Sequence, residues 1–232
     1  TIQEAVNNAT TDSLSTIFVV PGIYDEVINV KNVSNLLIEG LSANEPVIVD
    51  GLRIRSSDGV ELRNIEVDAT NSSRRYGLRL QGRCRANNNV VINGLNVHGA
   101  SKHGIVVAPN NNNVTIDNSV SRDNGRNGVR VAHLAGTVVV QNSTMTANGR
   151  NGVRIGRYST VTLINNIITN NSSYGVNVAR QWWGVDPTLV TLIQNQFSGN
   201  NGRVRTNRSD NDLNNYSQFI DATDDQAGYT AP

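Results

Sequence analysis

Val114-Thr-Ile-Asp-Asn-Ser returns as Val138-Val-Val-Gln-Asn-Ser after 24 residues, as Val161-Thr-Leu-Ile-Asn-Asn after another 23, and as Val190-Thr-Leu-Ile-Gln-Asn after a further 29. Upstream, Val90-Val-Ile-Asn-Gly-Leu and Val60-Glu-Leu-Arg-Asn-Ile share the frame. A second motif recurs in phase with it: Gly77-Leu-Arg-Leu, Gly104-Ile-Val-Val, Gly128-Val-Arg-Val, Gly152-Val-Arg-Ile and Gly175-Val-Asn-Val. A repeat of about two dozen residues is the mark of a solenoid, in which each turn of chain covers the apolar face of the next. Both motifs alternate apolar and polar residues, which is the period of a half-buried strand. The inward residues of the leading strand are then Val114 and Ile116 with their equivalents, and those of the glycine strand are Val129 and Val131 with theirs. A third inward position falls seven residues after each leading Val, at Val67, Val97, Met145, Ile168 and Phe197, with Ser121 as the exception. The sequence therefore predicts an all-β chain, a single-stranded parallel β-helix of about 7–8 coils.

Composition agrees with a thin core. Hydrophobic residues make up 38% and aromatic residues 5% of the 232 residues. A compact globule of that size uses more large apolar side chains. Asn recurs ten residues after the leading Val, at Asn124, Asn148, Asn171 and Asn200. These are expected to form stacked amide ladders at corners, in the left-handed conformation that Asn tolerates. Ile2, Ala5, Val6 and Ala9 sit at helical spacing, so residues 2–9 read as a short amphipathic helix capping the first coil. The expected division is a β-helix with its cap over 1–205, followed by a polar, Asp-rich tail or cap over 206–232.

The opening Thr1-Ile-Gln-Glu-Ala-Val and the later Val20-Pro-Gly-Ile-Tyr, taken with the repeats, resemble the pectin-lyase-like superfamily of right-handed parallel β-helices. The resemblance covers nearly all of residues 1–205. It implies a right-handed coil. It leaves function open among polysaccharide lyases, hydrolases, esterases and epimerases on one side and non-catalytic adhesins and fibre proteins on the other.

The outward positions beside the glycine motif carry the clearest chemical signal. Two residues before each glycine stand Arg75, Lys102, Arg126, Arg150 and Ser173; two after stand Arg79, Val106, Arg130, Arg154 and Asn177. Like charges stacked one coil apart, about 5 Å, repel by roughly 1–2 kcal/mol per unscreened pair. A bound polyanion relieves that repulsion. Formal net charge is only +1, and Lys31 and Lys102 are the sole lysines. Arginine suits bidentate contact with carboxylate or sulfate. The expected ligand is an acidic polysaccharide held by Arg75, Arg79, Lys102, Arg126, Arg130, Arg150 and Arg154. Tyr158 and the adjacent Trp182 and Trp183, in a lengthened coil connection, are candidates for stacking on sugar faces. The opposing reading is a solvated face screened by salt and by acids such as Asp123.

Catalysis is left open. Clustered carboxylates, paired Asp with Gly-His-Gly, and the esterase set of two Asp, Gln and Arg are not assembled by the sequence. If β-elimination occurs, Lys102, Arg126 or Arg130 are the candidate bases, since neighbouring cations favour the neutral form. His98, His103 and His133 fall on separate coils and predict no metal centre. Asp221, Asp224 and Asp225 are the residues from which a Ca2+ site would be drawn, without the glycine-punctuated loop of known calcium motifs. Near-neutral charge argues against nucleic acid, and no stretch reaches the ~20 apolar residues of a membrane span. Thr1 in place of Met reads as a processed or partial chain; several Asn-x-Ser/Thr sequons, among them Asn32, Asn71 and Asn171, give weak support to secretion, and the expected location is extracellular or at the cell surface. The alternative to polysaccharide recognition is a non-catalytic structural or surface module (fibre, sheath or adhesin subunit) that self-associates through its β-helix.

Overall fold

The repeat closes into coils because every strand pairs with its equivalent one period away. In the computed structural model, residues 1–9, 14–42, 45–70, 75–82, 85–179 and 189–205 are described, with the backbone of 219–222. Val90 pairs with Val114, Val114 with Val138, Val138 with Val161 and Val161 with Val190, all in parallel. This leading column runs from Ser15–Val19 through Leu189–Ile193 and on to the backbone of Phe219–Ala222, nine strands in all. A middle column (Ile65–Asp68, Asn96–His98, Val120–Arg122, Thr144–Thr146, Ile167–Thr169, Gln196–Ser198) stacks the third inward position. There Val67, Val97, Ser121, Met145, Ile168 and Phe197 lie in register. The glycine column (Tyr76–Gln81, His103–Val107, Val129–Val131, Val153–Ile155, Tyr174–Val178, Gly202–Arg205) completes each coil. Middle and glycine columns join at Val47–Arg55, which pairs with Gly22–Lys31 below it. The result is a parallel β-solenoid.

All the predicted inward residues of the leading and glycine columns form one continuous buried core. Its apolar ladders are interrupted at Ser121, whose hydroxyl is satisfied by the Gly128 carbonyl at 2.9 Å and by the Asn124 amide at 3.2 Å. The glycine column owes its glycines to close approach. A Cβ on Gly104 would lie 2.1 Å from the Ser121 hydroxyl, and one on Gly77 would lie 2.3 Å from Val97.

The corner asparagines do stack, with one correction to the sequence reading. Asn124 Nδ2 donates to Asn148 Oδ1 at 3.0 Å, Asn148 to Asn171 at 2.9 Å, and Asn171 to Asn200 at 2.8 Å. The left-handed residue, however, is the one before each: Asp123, Ala147, Asn170 and Gly199, at φ 52°, 53°, 54° and 62°. Each of those four is exposed, whereas Asn124, Asn148 and Asn171 are buried. The bend is placed where the side chain meets water, and the amide is left free to bridge coils. A second ladder of Ser119, Ser143, Asn166 and Asn195 does the same at the preceding corner.

The first coil is closed by α1 (Ile2–Asn7), which buries Ile2 and Val6. Thr1 and Glu4 form a reciprocal capping box, and both Glu26 carboxylate oxygens accept from the next free helix N–H groups, those of Ile2 and Gln3, at 2.9 and 3.1 Å. Such caps satisfy donors that a helix start leaves without partners. No helix among the described residues is long and apolar enough to cross a membrane.

Candidate functional site

The outward side of the glycine column is where the cations gather. One line of residues runs in strict register: Arg53 beside Arg79, Arg79 beside Val106, Val106 beside Arg130, Arg130 beside Arg154, Arg154 beside Asn177, and Asn177 beside Arg205. A parallel line follows the corner that precedes it. Here Lys102 N–H donates to the Arg75 carbonyl at 3.1 Å, Arg126 to Lys102 at 2.5 Å, Arg150 to Arg126 at 2.6 Å, and Ser173 to Arg150 at 2.7 Å. The spacing of one residue per strand in each line follows from parallel in-register stacking.

Between the two lines lies a floor of polar side chains: Tyr76, His103, Asn127, Asn151 and Tyr174. Tyr76 and His103 stack nearly parallel, 5.8 Å between ring centres. Asn127 addresses His103 Nδ1, Asn151 Nδ2 donates to Asn127 Oδ1 at 2.9 Å, and the Tyr174 N–H donates to Asn151 Oδ1 at 3.2 Å. This ladder runs opposite in sense to the corner asparagines, since here each later coil donates to the earlier one. His103 is buried, and that burial, followed by the charges of Arg130, Arg126, Lys102 and Arg150, pushes its pKa down to about 3. Arg154 is likewise lowered from the ordinary arginine value, by burial first and then by Arg130, Arg205 and Arg150. Both shifts record a dense positive field at a partly dry surface.

Two open depressions lie on this strip. One, of about 230 Å³, is lined by Arg53, Arg75, Tyr76 and Arg79 together with Val27, Gly51 and Leu52. The other, of about 260 Å³, is lined by His103, Arg126, Asn127, Arg130, Arg150, Asn151 and Arg154. Val106, only 3% exposed, interrupts the Arg line between them. Among the described residues no carboxylate forms an ion pair with Lys102, Arg126, Arg130 or Arg150. Asp123, the acid expected to screen the strip, instead pairs with Arg122 at 2.9 Å. Arg154 hydrogen-bonds to the Asn177 amide oxygen, and Arg79 lies over the Tyr76 ring at 5.1 Å with its buried Nε unpaired.

The sequence-predicted cations are thus brought together, Arg75 and Arg79 in one depression and Arg126, Arg130, Arg150 and Arg154 in the other, with Lys102 in the corner line between them. Val106 and Asn177, expected to face solvent, are buried in the sheet surface. Tyr158 lies elsewhere, at the turn into the leading column and edge-on to His133 at 5.0 Å. Trp182 and Trp183 fall outside the described residues, as do Asp224 and Asp225 and the side chain of Asp221. Among the described residues no cluster of three acidic, His or Cys side chains converges as a metal site. Sequence reading missed Arg53, although Gly51-Leu-Arg-Ile carries the glycine motif. It also missed Arg205, hidden by a one-residue shift that places Gly202 opposite Tyr174. The His103–Asn127–Asn151 floor was legible as the residue before each glycine, but only the three-dimensional ladder gives it meaning.

The parallel solenoid defines the class. Residues 50–217 match the family model of the right-handed β-helix region, and the chain belongs to that family. Its coil is therefore right-handed. Among solved structures it is similar to the pectate lyase Pel9A (TM-score 0.58, 13% identity, covering 98% of this chain and 75% of that one). It is also similar to a pectin methylesterase in complex with a hexasaccharide (0.59, 11%, 95% and 83%) and to PfbA, a surface adhesin of Streptococcus pneumoniae (0.56, 13%, 74% and 50%). The chain spans half the length of that adhesin and 63% of the periplasmic alginate epimerase AlgG. No curated protein matches the sequence.

Proposed function

We propose that this chain recognises acidic polysaccharide outside the cytoplasm, holding the polymer parallel to the solenoid axis along the glycine column. The carrying observation is the run of Lys102, Arg126, Arg130 and Arg150, which have no ion-paired carboxylate among the described residues. Internal salt bridges would have neutralised such a face; here counter-anions must come from outside. Successive positions of each line lie one coil apart, about 5 Å, which is close to one sugar residue. Fold neighbours that act on pectin, and one that is a surface adhesin, make a polysaccharide-related role and an extracytoplasmic setting the natural reading of this strip.

The test is incubation with acidic and neutral polysaccharides, with and without Ca2+, following both pull-down and appearance of unsaturated or reducing ends. Acidic polymers are retained by the wild-type chain and released by Arg126→Ala/Arg130→Ala, while neutral polymers are not retained. Product that disappears in the same variant adds processing to binding at this strip. Retention of no polymer moves the assignment to a non-catalytic surface or structural module.

A further inference from the structure

We infer that the strip is matched to a polymer with close to two anionic groups per sugar, such as a sulfated uronan, rather than to one with a single carboxylate per sugar. This deepens the proposed polysaccharide reading and rests on it. The argument is a count along the axis. Four consecutive coils present seven cations, Arg75 and Arg79, Lys102, Arg126 and Arg130, then Arg150 and Arg154. Those coils span three strand spacings, about 14 Å. A polymer laid along them brings roughly four sugars, at about one per strand spacing. One carboxylate on each would leave about three of the seven cations uncompensated beside one another.

The two lines also face different parts of a ligand. The Arg79–Arg130–Arg154 line lies on the sheet surface, and the Arg75–Lys102–Arg126–Arg150 line follows the corner, with the His103–Asn127–Asn151 floor between them. A sugar resting on that floor has an anionic substituent to offer on each side only when it carries two. The cations are guanidinium groups at every position but Lys102, and their planar forks match the oxygens of sulfate as well as of carboxylate. The floor is uncharged, and Asn127 and Asn151 commit amide groups to the ladder. Charge on the two flanks, rather than hydrogen bonding from below, therefore sets the preference.

The experiment compares heparin, heparin stripped of its sulfates, polygalacturonate and single-stranded DNA, matched in length, by titration of the intact chain at 0.15 M salt. Heparin binds at least tenfold tighter than desulfated heparin and than polygalacturonate, and tighter than the DNA. Arg126→Ala/Arg150→Ala, which removes two of the four cations of the corner line at exposed or half-exposed positions, weakens heparin binding by a larger factor than polygalacturonate binding, so that the preference for heparin falls at least threefold. Polygalacturonate binding as tightly as heparin overturns the inference and leaves the acidic-polysaccharide reading standing. DNA binding as tightly as heparin overturns it as well, since the strip is then a generic polyanion surface. Binding of no polysaccharide at all removes both.

Discussion

Asn127 addresses one atom of His103 twice, its backbone N–H lying 3.3 Å and its side-chain amide 3.0 Å from Nδ1. A backbone N–H only donates, so Nδ1 is an acceptor and the ring proton sits on Nε2. The imidazole is held neutral under a canopy of cations. That makes it a poor acceptor of protons and a fixed part of the floor.

Stability follows from this with a definite sign. The His103 pKa is depressed to about 3 in the folded chain from an ordinary 6.5. Between those values the unfolded chain binds the extra proton, so stability from this residue is complete above pH 6.5 and is lost as pH falls toward 3. The thermal midpoint is expected to drop across that window, and less steeply in His103→Asn, which continues the Asn127–Asn151 ladder without a titrating ring. Equal slopes for both proteins would remove His103 as the cause.

The same ring reports on the strip. Arg130, Arg126, Lys102 and Arg150 all contribute to its depressed pKa. An anionic polymer neutralising those cations raises the value, whereas a ligand bound elsewhere leaves it unchanged. The His103 resonances, followed by NMR from pH 6 downward with and without bound polymer, give the answer directly.

Asn148 is fully buried, accepts from the Asn124 backbone and side-chain N–H groups, and donates to both Asn171 Oδ1 and the Ser121 carbonyl. Asn148→Ala leaves donors on one side and acceptors on the other without partners, at about 1–3 kcal/mol for the unsatisfied groups. Denaturant unfolding is expected to show a loss of about 2–4 kcal/mol once the cavity is included. Thr137→Ala, an exposed site on the leading column, should stay within about 0.5 kcal/mol.

Ala147 holds the left-handed conformation at φ 53° while exposed to solvent, where its equivalents are Asp123, Asn170 and Gly199. That conformation costs an alanine roughly 1–2 kcal/mol, against about 0.5–1 kcal/mol of backbone entropy for a glycine. Ala147→Gly should therefore stabilise the chain by about 0.5–1 kcal/mol, the difference between those costs. Calorimetry showing a lower midpoint would mean that the methyl group packs better than its exposure implies.

The fold was legible because a period near 24 residues writes itself into the sequence several times over. Val114, Val138 and Val161 needed only to be aligned for the leading column to follow. The cap was legible for a related reason, since Ile2 and Val6 lie one helical turn apart. The site was read in part. Arg130 and Arg154 follow from the glycine motif, and so would Arg53 have done, but Arg205 is shifted by a residue and no period reveals it. The left-handed corner was misplaced by one position because Asn is a plausible residue for both jobs, stacking inward and turning outward. Only burial separates Asn148 from Ala147. Neither the neutrality of His103 nor the opposed sense of its ladder is written in any local pattern, since both depend on which coil donates to which.

Val106 gives the strip a rhythm. A perfectly repeating row of arginines would be a rail, on which a repeating polymer could slip forward one unit at a time and find the same energy at every stop. One missing beat between Arg79 and Arg130, and a second where Asn177 follows Arg154, remove that equivalence. A polymer whose own charges are unevenly placed then has a preferred phase along the strip and a cost for each step away from it. Filling the first gap, with Val106→Arg, should leave an unbroken row from Arg53 to Arg154 and lower the cost of each such step along it.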